Sequence, residues 1–204
     1  MAPLSPAEVA AALQDMQTGK APGLDGLKVS FYKTFQTQLI PHLIKLFEEM
    51  AADGQMPRSM REALLVVKLK PEKPPDSCAS YRPLSLLNID TKIYAKILAN
   101  RLLPLLTNLI APEQTGFVPT WSLTQNLRTL FGTLAQIQPE VSAVAVFLDA
   151  VKAFDSVEWA FMYSVLRRVG VGDVFLQLVE VLYSQPVARL WINGAISDPV
   201  RIER

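Results

Sequence analysis

Residues 141–148 read VSAVAVFL, a nearly continuous apolar run of strand length that ends on Asp149. Such a short, β-branched run suits a strand buried on both faces, which needs partner strands and a helical cover. At 204 residues the chain is long enough for one sizeable core that can divide into two lobes. Half of its residues are hydrophobic and 19% are charged, which excludes disordered, collagen-like and coiled-coil classes. No charged-then-apolar leader and no apolar run of 18 residues is present, and Cys78, the one cysteine, cannot close an internal disulfide. The expectation is a soluble protein of a reducing compartment, cytoplasm or nucleus, with no membrane partner.

Residues 5–8, SPAE, form a capping box with proline at the first helical position, so a helix is predicted to about Gln17. Residues 18–26, TGKAPGLDG, hold three glycines and a proline and read as a loop. A second helical stretch carries Phe31, Phe35, Leu39, Leu43, Leu46 and Phe47 at helical spacing, restarts at Pro41 and ends at Gly54 and Pro57. Residues 63–69, ALLVVKL, suit a strand, and 70–80, KPEKPPDSCAS, a loop or hairpin tip. Residues 88–109 read as one long helix with Ile89, Ile93, Ile97 and Leu98 on one face. Helices follow over 123–137, 158–169 and 174–183. A strand over 187–192 closes on Asn193-Gly194, the strongest hairpin dipeptide, with its partner over 199–203.

Charge is unevenly spread. Between Arg58 and Arg101 nine basic side chains face four acidic ones, a net +5, and with +1 overall the remainder carries −4. A basic central segment either meets a polyanion or is simply a set of solvated faces. Asp149 leaves the predicted strand at its carboxyl end, where a rigid sheet can hold a divalent cation, and Asp155 follows six residues on. The two carboxylates can equally cap a turn and the next helix. Lys70 and Arg82 flank the proline-rich loop, so a folded-over strand pair would bring an ammonium and a guanidinium to one polyphosphate. The alternative is that Arg82 pairs with a carboxylate and Lys70 is solvated. Gly23-Leu24-Asp25-Gly26 offers a weaker phosphate cradle. One cysteine and one histidine rule out a zinc cluster of thiolates and imidazoles.

Several short segments, taken in order, carry a resemblance. They are GKAPGLDG at 19–26, Phe31-Tyr32, Leu69-Lys70-Pro71 with Lys73, YRPLSLLNID at 81–90, Lys92-Ile93 and ILANRL at 97–102. Gln114-Thr115-Gly116-Phe117 and the stretch from Phe147-Leu148-Asp149 to Ala153-Phe154-Asp155 complete the set. Over nearly its whole length the chain resembles the reverse transcriptase domain encoded by non-long-terminal-repeat retrotransposons of the LINE type. The resemblance implies an α+β right-hand polymerase fold, with helical fingers and a β hairpin over residues 1–140 and the first part of an antiparallel palm sheet over 141–204. It implies an RNA-directed DNA polymerase working with an RNA template, a DNA primer and deoxynucleoside triphosphates. Asp149 corresponds to the first catalytic aspartate, a ligand of paired Mg²⁺ ions. Phe154 matches the bulky residue that discriminates against a ribose 2′ hydroxyl, and Lys70 and Arg82 match the fingers residues that hold the triphosphate. Gln114, Gly116 and Phe117 match a fingers segment at the template strand.

The family's paired-aspartate turn, which follows a Gln-Gly-Cys-Pro segment, would lie beyond Arg204, as would the thumb. One carboxylate does not fix two magnesium ions, which rely on several anionic ligands. The expectation is therefore a partial domain, inactive alone, binding Mg²⁺ weakly or not at all. A non-catalytic nucleic-acid-binding module or an inert genomic remnant is the alternative. Two departures point the same way: Pro119-Thr120-Trp121 stands where the family has Gly-Arg, and Glu72 stands where it often has glycine.

Overall fold

A computed structural model describes residues 3–111, 113–116, 122–138 and 142–203. Helix α1 (Pro6–Gln14) opens on the expected capping box: Ser5 Oγ accepts from the Glu8 N–H at 3.3 Å, and the Glu8 carboxylate accepts from the Ser5 N–H at 3.0 Å. It ends at Gln14 rather than Gln17. Helices α2 (Val29–Thr34) and α3 (Gln36–Asp53) are divided at Phe35, so the restart lies before Pro41, which sits inside α3. Proline there removes the hydrogen bond to the Thr37 carbonyl, and both residues are exposed, so solvent can satisfy that group. Gly54, with φ 69°, ends α3 in the left-handed conformation that glycine adopts most easily.

The short turn α4 (Arg58–Arg61) feeds strand β1 (Glu62–Leu69), and a 3-10 turn at Cys78–Ser80 feeds β2 (Tyr81–Leu86). There follow α5 (Ile89–Leu109), α6 (Leu123–Ala135), α7 (Trp159–Arg168), α8 (Asp173–Leu182), β3 (Val187–Ile192), β4 (Ala195–Ile196) and β5 (Val200–Arg201). The fold is thus a mixture of helices and a five-stranded sheet, in the order β2-β1-β3-β4 with β5 also on β3. No described helix is long and apolar enough to cross a membrane.

The chain forms two compact units, one of Met1–Arg101 with Glu158–Arg204, the other of Leu102–Val157. The first holds the main core. The predicted face of α5 is buried there, Ile89, Ile93, Ile97 and Leu98 together with Tyr94, as are Val9 and Leu13 of α1, Phe47 and Met50 of α3 and Val181 of α8. Each such side chain contributes roughly 1.5–3 kcal/mol by leaving water, so tertiary burial, not intrinsic propensity, holds α5. Tyr94 is the hub: its ring lies 5.1 Å from that of Phe47, and its hydroxyl donates to the Leu178 carbonyl at 3.2 Å.

β1 and β3 run parallel, Glu62 opposite Val187 and Val66 opposite Trp191, and the helices between them supply the crossover that parallel pairing demands. Strands β4 and β5 each pair antiparallel with β3. Asn193 and Gly194 have φ 53° and 80°, as a tight two-residue hairpin turn requires. The partner strand begins at once, at Ala195, rather than at 199. Its ladder reaches Ser197, whose N–H donates to the Leu190 carbonyl at 2.9 Å, and resumes in β5 with Val200 opposite Ala188.

The expected strand over 141–148 is not formed where the chain is described. Residues 142–150 have no regular structure, and Val144, Val146, Phe147 and Leu148 are between 72% and 92% exposed. A strand exists only as part of a ladder, and among the described residues none pairs with this segment. Hydrophobicity alone supplies the tendency but not the partner. In the same unit, α6 forms as its periodicity predicts.

Candidate functional site

The β1–β2 hairpin turns the basic segment into a surface. Its antiparallel register sets Lys68 opposite Arg82 and Leu69 opposite Tyr81, and the Lys70 N–H extends the ladder by one bond to the Ser80 carbonyl at 2.8 Å. Side chains alternate along a strand and directly paired residues share a face, so Lys68, Lys70 and Arg82 lie on one side of the ribbon. The Lys70 ammonium donates to the Ala79 carbonyl at 2.7 Å, which holds it at the tip. Tyr81 braces the same tip through its hydroxyl, which donates to the Pro75 carbonyl at 3.0 Å. Arg82 has no ion-pair partner among the described residues, so the carboxylate pairing considered for it is not made. Chemically the face offers two ammonium groups and one guanidinium to an anion with several oxygens.

Other basic residues of the segment are committed elsewhere. Arg101 holds Glu8, with one bond from Nη2 to Oε2 at 2.9 Å, Lys96 lies 3.3 Å from Asp15, and Arg58 holds Glu62 at 3.0 Å. The glycine loop is structural. A Cβ on Gly23 would stand 2.1 Å from Asn88 Oδ1 and 2.5 Å from Asn88 N, so the loop packs against the entry to α5. Asn88, buried, accepts from the Asp25 N–H at 3.4 Å and donates to the Ser59 carbonyl at 3.0 Å.

In the second unit, Gln114 donates from Nε2 to the Gly116 carbonyl at 3.3 Å, and between them Thr115 is buried, its hydroxyl accepting from Asn126 of α6 at 2.7 Å. Phe117 lies outside the described residues. Asp149 and Phe154 are exposed, on irregular backbone and in the turn after it. Asp155 does not cap α7: Glu158 occupies that position, without a side-chain cap bond. Among the described residues no three His, Cys, Asp or Glu side chains converge as a metal site would need. The donor set around Asp149 therefore does not by itself fit a two-cation centre.

The profile of the family described as Reverse transcriptase (RNA-dependent DNA polymerase) matches residues 69–195, from the end of β1 to the first residue of β4. The chain belongs to the reverse transcriptase family. It is 30% identical over 204 residues to the Transposon TX1 uncharacterized 149 kDa protein of Xenopus laevis, covering 99% of itself and 15% of that protein. It is 28% identical over 205 residues to the Probable RNA-directed DNA polymerase from transposon BS of Drosophila melanogaster, covering 94% of itself and 23% of that protein. It is 30% identical over 158 residues to the RNA-directed DNA polymerase from mobile element jockey of Drosophila funebris, covering 76% of itself and 17% of that protein. The chain thus spans less than a quarter of the length of these relatives. The reading of its motifs as a LINE-type, non-long-terminal-repeat reverse transcriptase domain holds.

The β1–β2 hairpin adds one residue that the motifs did not single out. Lys68 completes the basic face, and the signal for it was the parity of positions 68 and 70 once a hairpin is assumed. At the same tip Glu72 has φ 59°, a left-handed conformation that glycine adopts freely and glutamate does not.

Proposed function

We propose that the chain supplies the fingers, residues 1–140, and the start of the palm, residues 141–204, of an RNA-directed DNA polymerase, with β3 as the strand by which the second joins the sheet of the first. The β1–β2 hairpin holds the triphosphate of an incoming deoxynucleotide through Lys70 and Arg82, with Lys68 beside them. The observation that carries this reading is the shared face of those three cations at the tip of a braced ribbon. Phe154 borders the sugar, and Gln114, Gly116 and Phe117 border the template strand. Asp149 is the catalytic carboxylate. Magnesium, held in such polymerases by several carboxylates, would need ligands beyond Asp149, so the 204 residues alone extend no primer.

Titration of a fluorescent deoxynucleoside triphosphate into the chain tests the hairpin. Arg82→Ala and Lys70→Ala are expected to weaken binding about tenfold each, as loss of a charge-assisted phosphate contact does. Equal affinity in wild type and both variants would remove the hairpin from the nucleotide site. In a longer protein carrying this chain, primer extension on RNA that persists in Asp149→Ala would overturn the catalytic assignment.

A further inference from the structure

At the end of the sheet away from the hairpin tip, Glu62 of β1 pairs with Val187 of β3, which pairs in turn with Arg201 of β5. These three abreast residues border a cavity of about 290 Å³ that Arg58, Arg61 and Gln185 also line. Glu62 lies seven positions along β1 from Leu69, so the cavity is roughly 23 Å from the tip at about 3.3 Å per residue. It shares no residue with the hairpin face.

The cavity is a built cationic site. Three guanidinium groups line it against one carboxylate, and that carboxylate is occupied: Glu62 accepts from Arg58 Nε at 3.0 Å and from Arg189 Nε at 3.4 Å. Arg61 and Arg201 have no ion-pair partner among the described residues. Arg61 donates one bond, from Nη1 to Gln185 Oε1 at 3.0 Å, while its Nε is buried with no acceptor among the described residues. That Nε is closed off from solvent, so an anion in the cavity meets Arg61 only through its terminal nitrogens. Several arginine forks around one opening suit an anion with more oxygens than a carboxylate carries.

We propose that this cavity is a phosphate site, distinct from the hairpin, with Arg61 and Arg201 as its principal donors and Arg58 at its rim. The phosphate group comes either from a nucleic-acid strand or from the free ion.

Two measurements on the full chain separate these sources. In thermal unfolding, inorganic phosphate is expected to raise the Tm of the wild type above that in sodium chloride of equal ionic strength, and to leave Arg61→Gln/Arg201→Gln unmoved. In equilibrium binding of a labelled single-stranded oligonucleotide, the same double variant is expected to lose about tenfold in affinity. The slope of log affinity against log salt should fall by roughly one per arginine that met a phosphate. Lys68→Gln/Arg82→Gln, which disables the hairpin only, keeps the response to inorganic phosphate, so failure of one site is distinguishable from failure of the other. Arg201→Gln alone, a single exposed change, gives the same readouts should the double variant not fold. A response in the phosphate measurement alone assigns the site to the free ion, and one in the oligonucleotide measurement alone assigns it to a strand. Indifference of both measurements to the arginine changes overturns the proposal.

Discussion

Lys68 stands directly opposite Arg82 in the β1–β2 ladder, and neither has an ion-pair partner among the described residues. Like charges so placed repel, which is a cost to the hairpin and an asset to an anion site. Lys68→Thr, which replaces the ammonium by a β-branched side chain suited to a strand, is expected to raise stability by about 0.5 kcal/mol at low salt and by less at high salt, where screening already weakens the repulsion. It should also weaken triphosphate binding. Urea unfolding at two ionic strengths checks the first effect; a loss of stability at low salt would show that the pair does not repel.

Glu72 adds strain and an unwanted charge at the same tip. Its φ of 59° costs roughly 1–2 kcal/mol for an L-residue, of which about 0.4–1 kcal/mol is returned by the greater freedom of glycine in the unfolded chain. Glu72→Gly is therefore expected to be neutral to mildly stabilising and to tighten triphosphate binding a few-fold. Glu72→Ala removes the charge but keeps the strain, so it should reproduce the binding gain without the stability gain. If both variants bind as the wild type does, the tip carboxylate does not reach the ligand.

Glu8 and Arg101 tie the start of α1 to α5. The Arg101 guanidinium, with help from the Ser5 backbone and hydroxyl and against a desolvation penalty, holds the Glu8 carboxyl well below its ordinary 4.5, at about 2. A carboxylate depressed on folding adds stability above its unfolded pKa and loses it as pH falls. The contribution of this pair should thus be complete above about pH 5 and vanish progressively toward pH 2. Glu8→Gln, which keeps a weaker cap but abolishes the ion pair, is expected to cost about 1 kcal/mol at pH 7 and little at pH 2. Parallel stability curves against pH for the two proteins would refute the linkage.

Gly23 allows the 23–26 loop to touch the backbone of Asn88. Gly23→Ala places a methyl group within 2.1 Å of Asn88 Oδ1 and 2.5 Å of its nitrogen, and backbone at the entry to α5 cannot swing aside as a side chain does. A loss of about 2–3 kcal/mol is expected from overpacking and from the disturbed Asn88 bonds. Thermal unfolding checks it, and a shift within error would mean that the loop moves freely.

What the sequence determined by itself was whatever depends on neighbours in the chain. The capping box at Ser5 and Glu8, the Asn193-Gly194 turn, the end of α3 at Gly54 and the apolar face of α5 all follow from local dihedral preference, side-chain reach of a few residues or helical period. The family, too, was legible, since short motifs in order are a property of the chain. Tertiary structure alone decided which strands found partners. The run VSAVAVFL has the composition of a buried strand yet lies exposed where described, while Glu62–Leu69, no more apolar, pairs on both edges. Pairing is a contact between distant segments, and no local signal encodes whether the partner is there. The same holds for the sites. That Lys68 joins Lys70 and Arg82, and that Arg201 comes abreast of Glu62, are consequences of ladder register, which exists only once the sheet has formed.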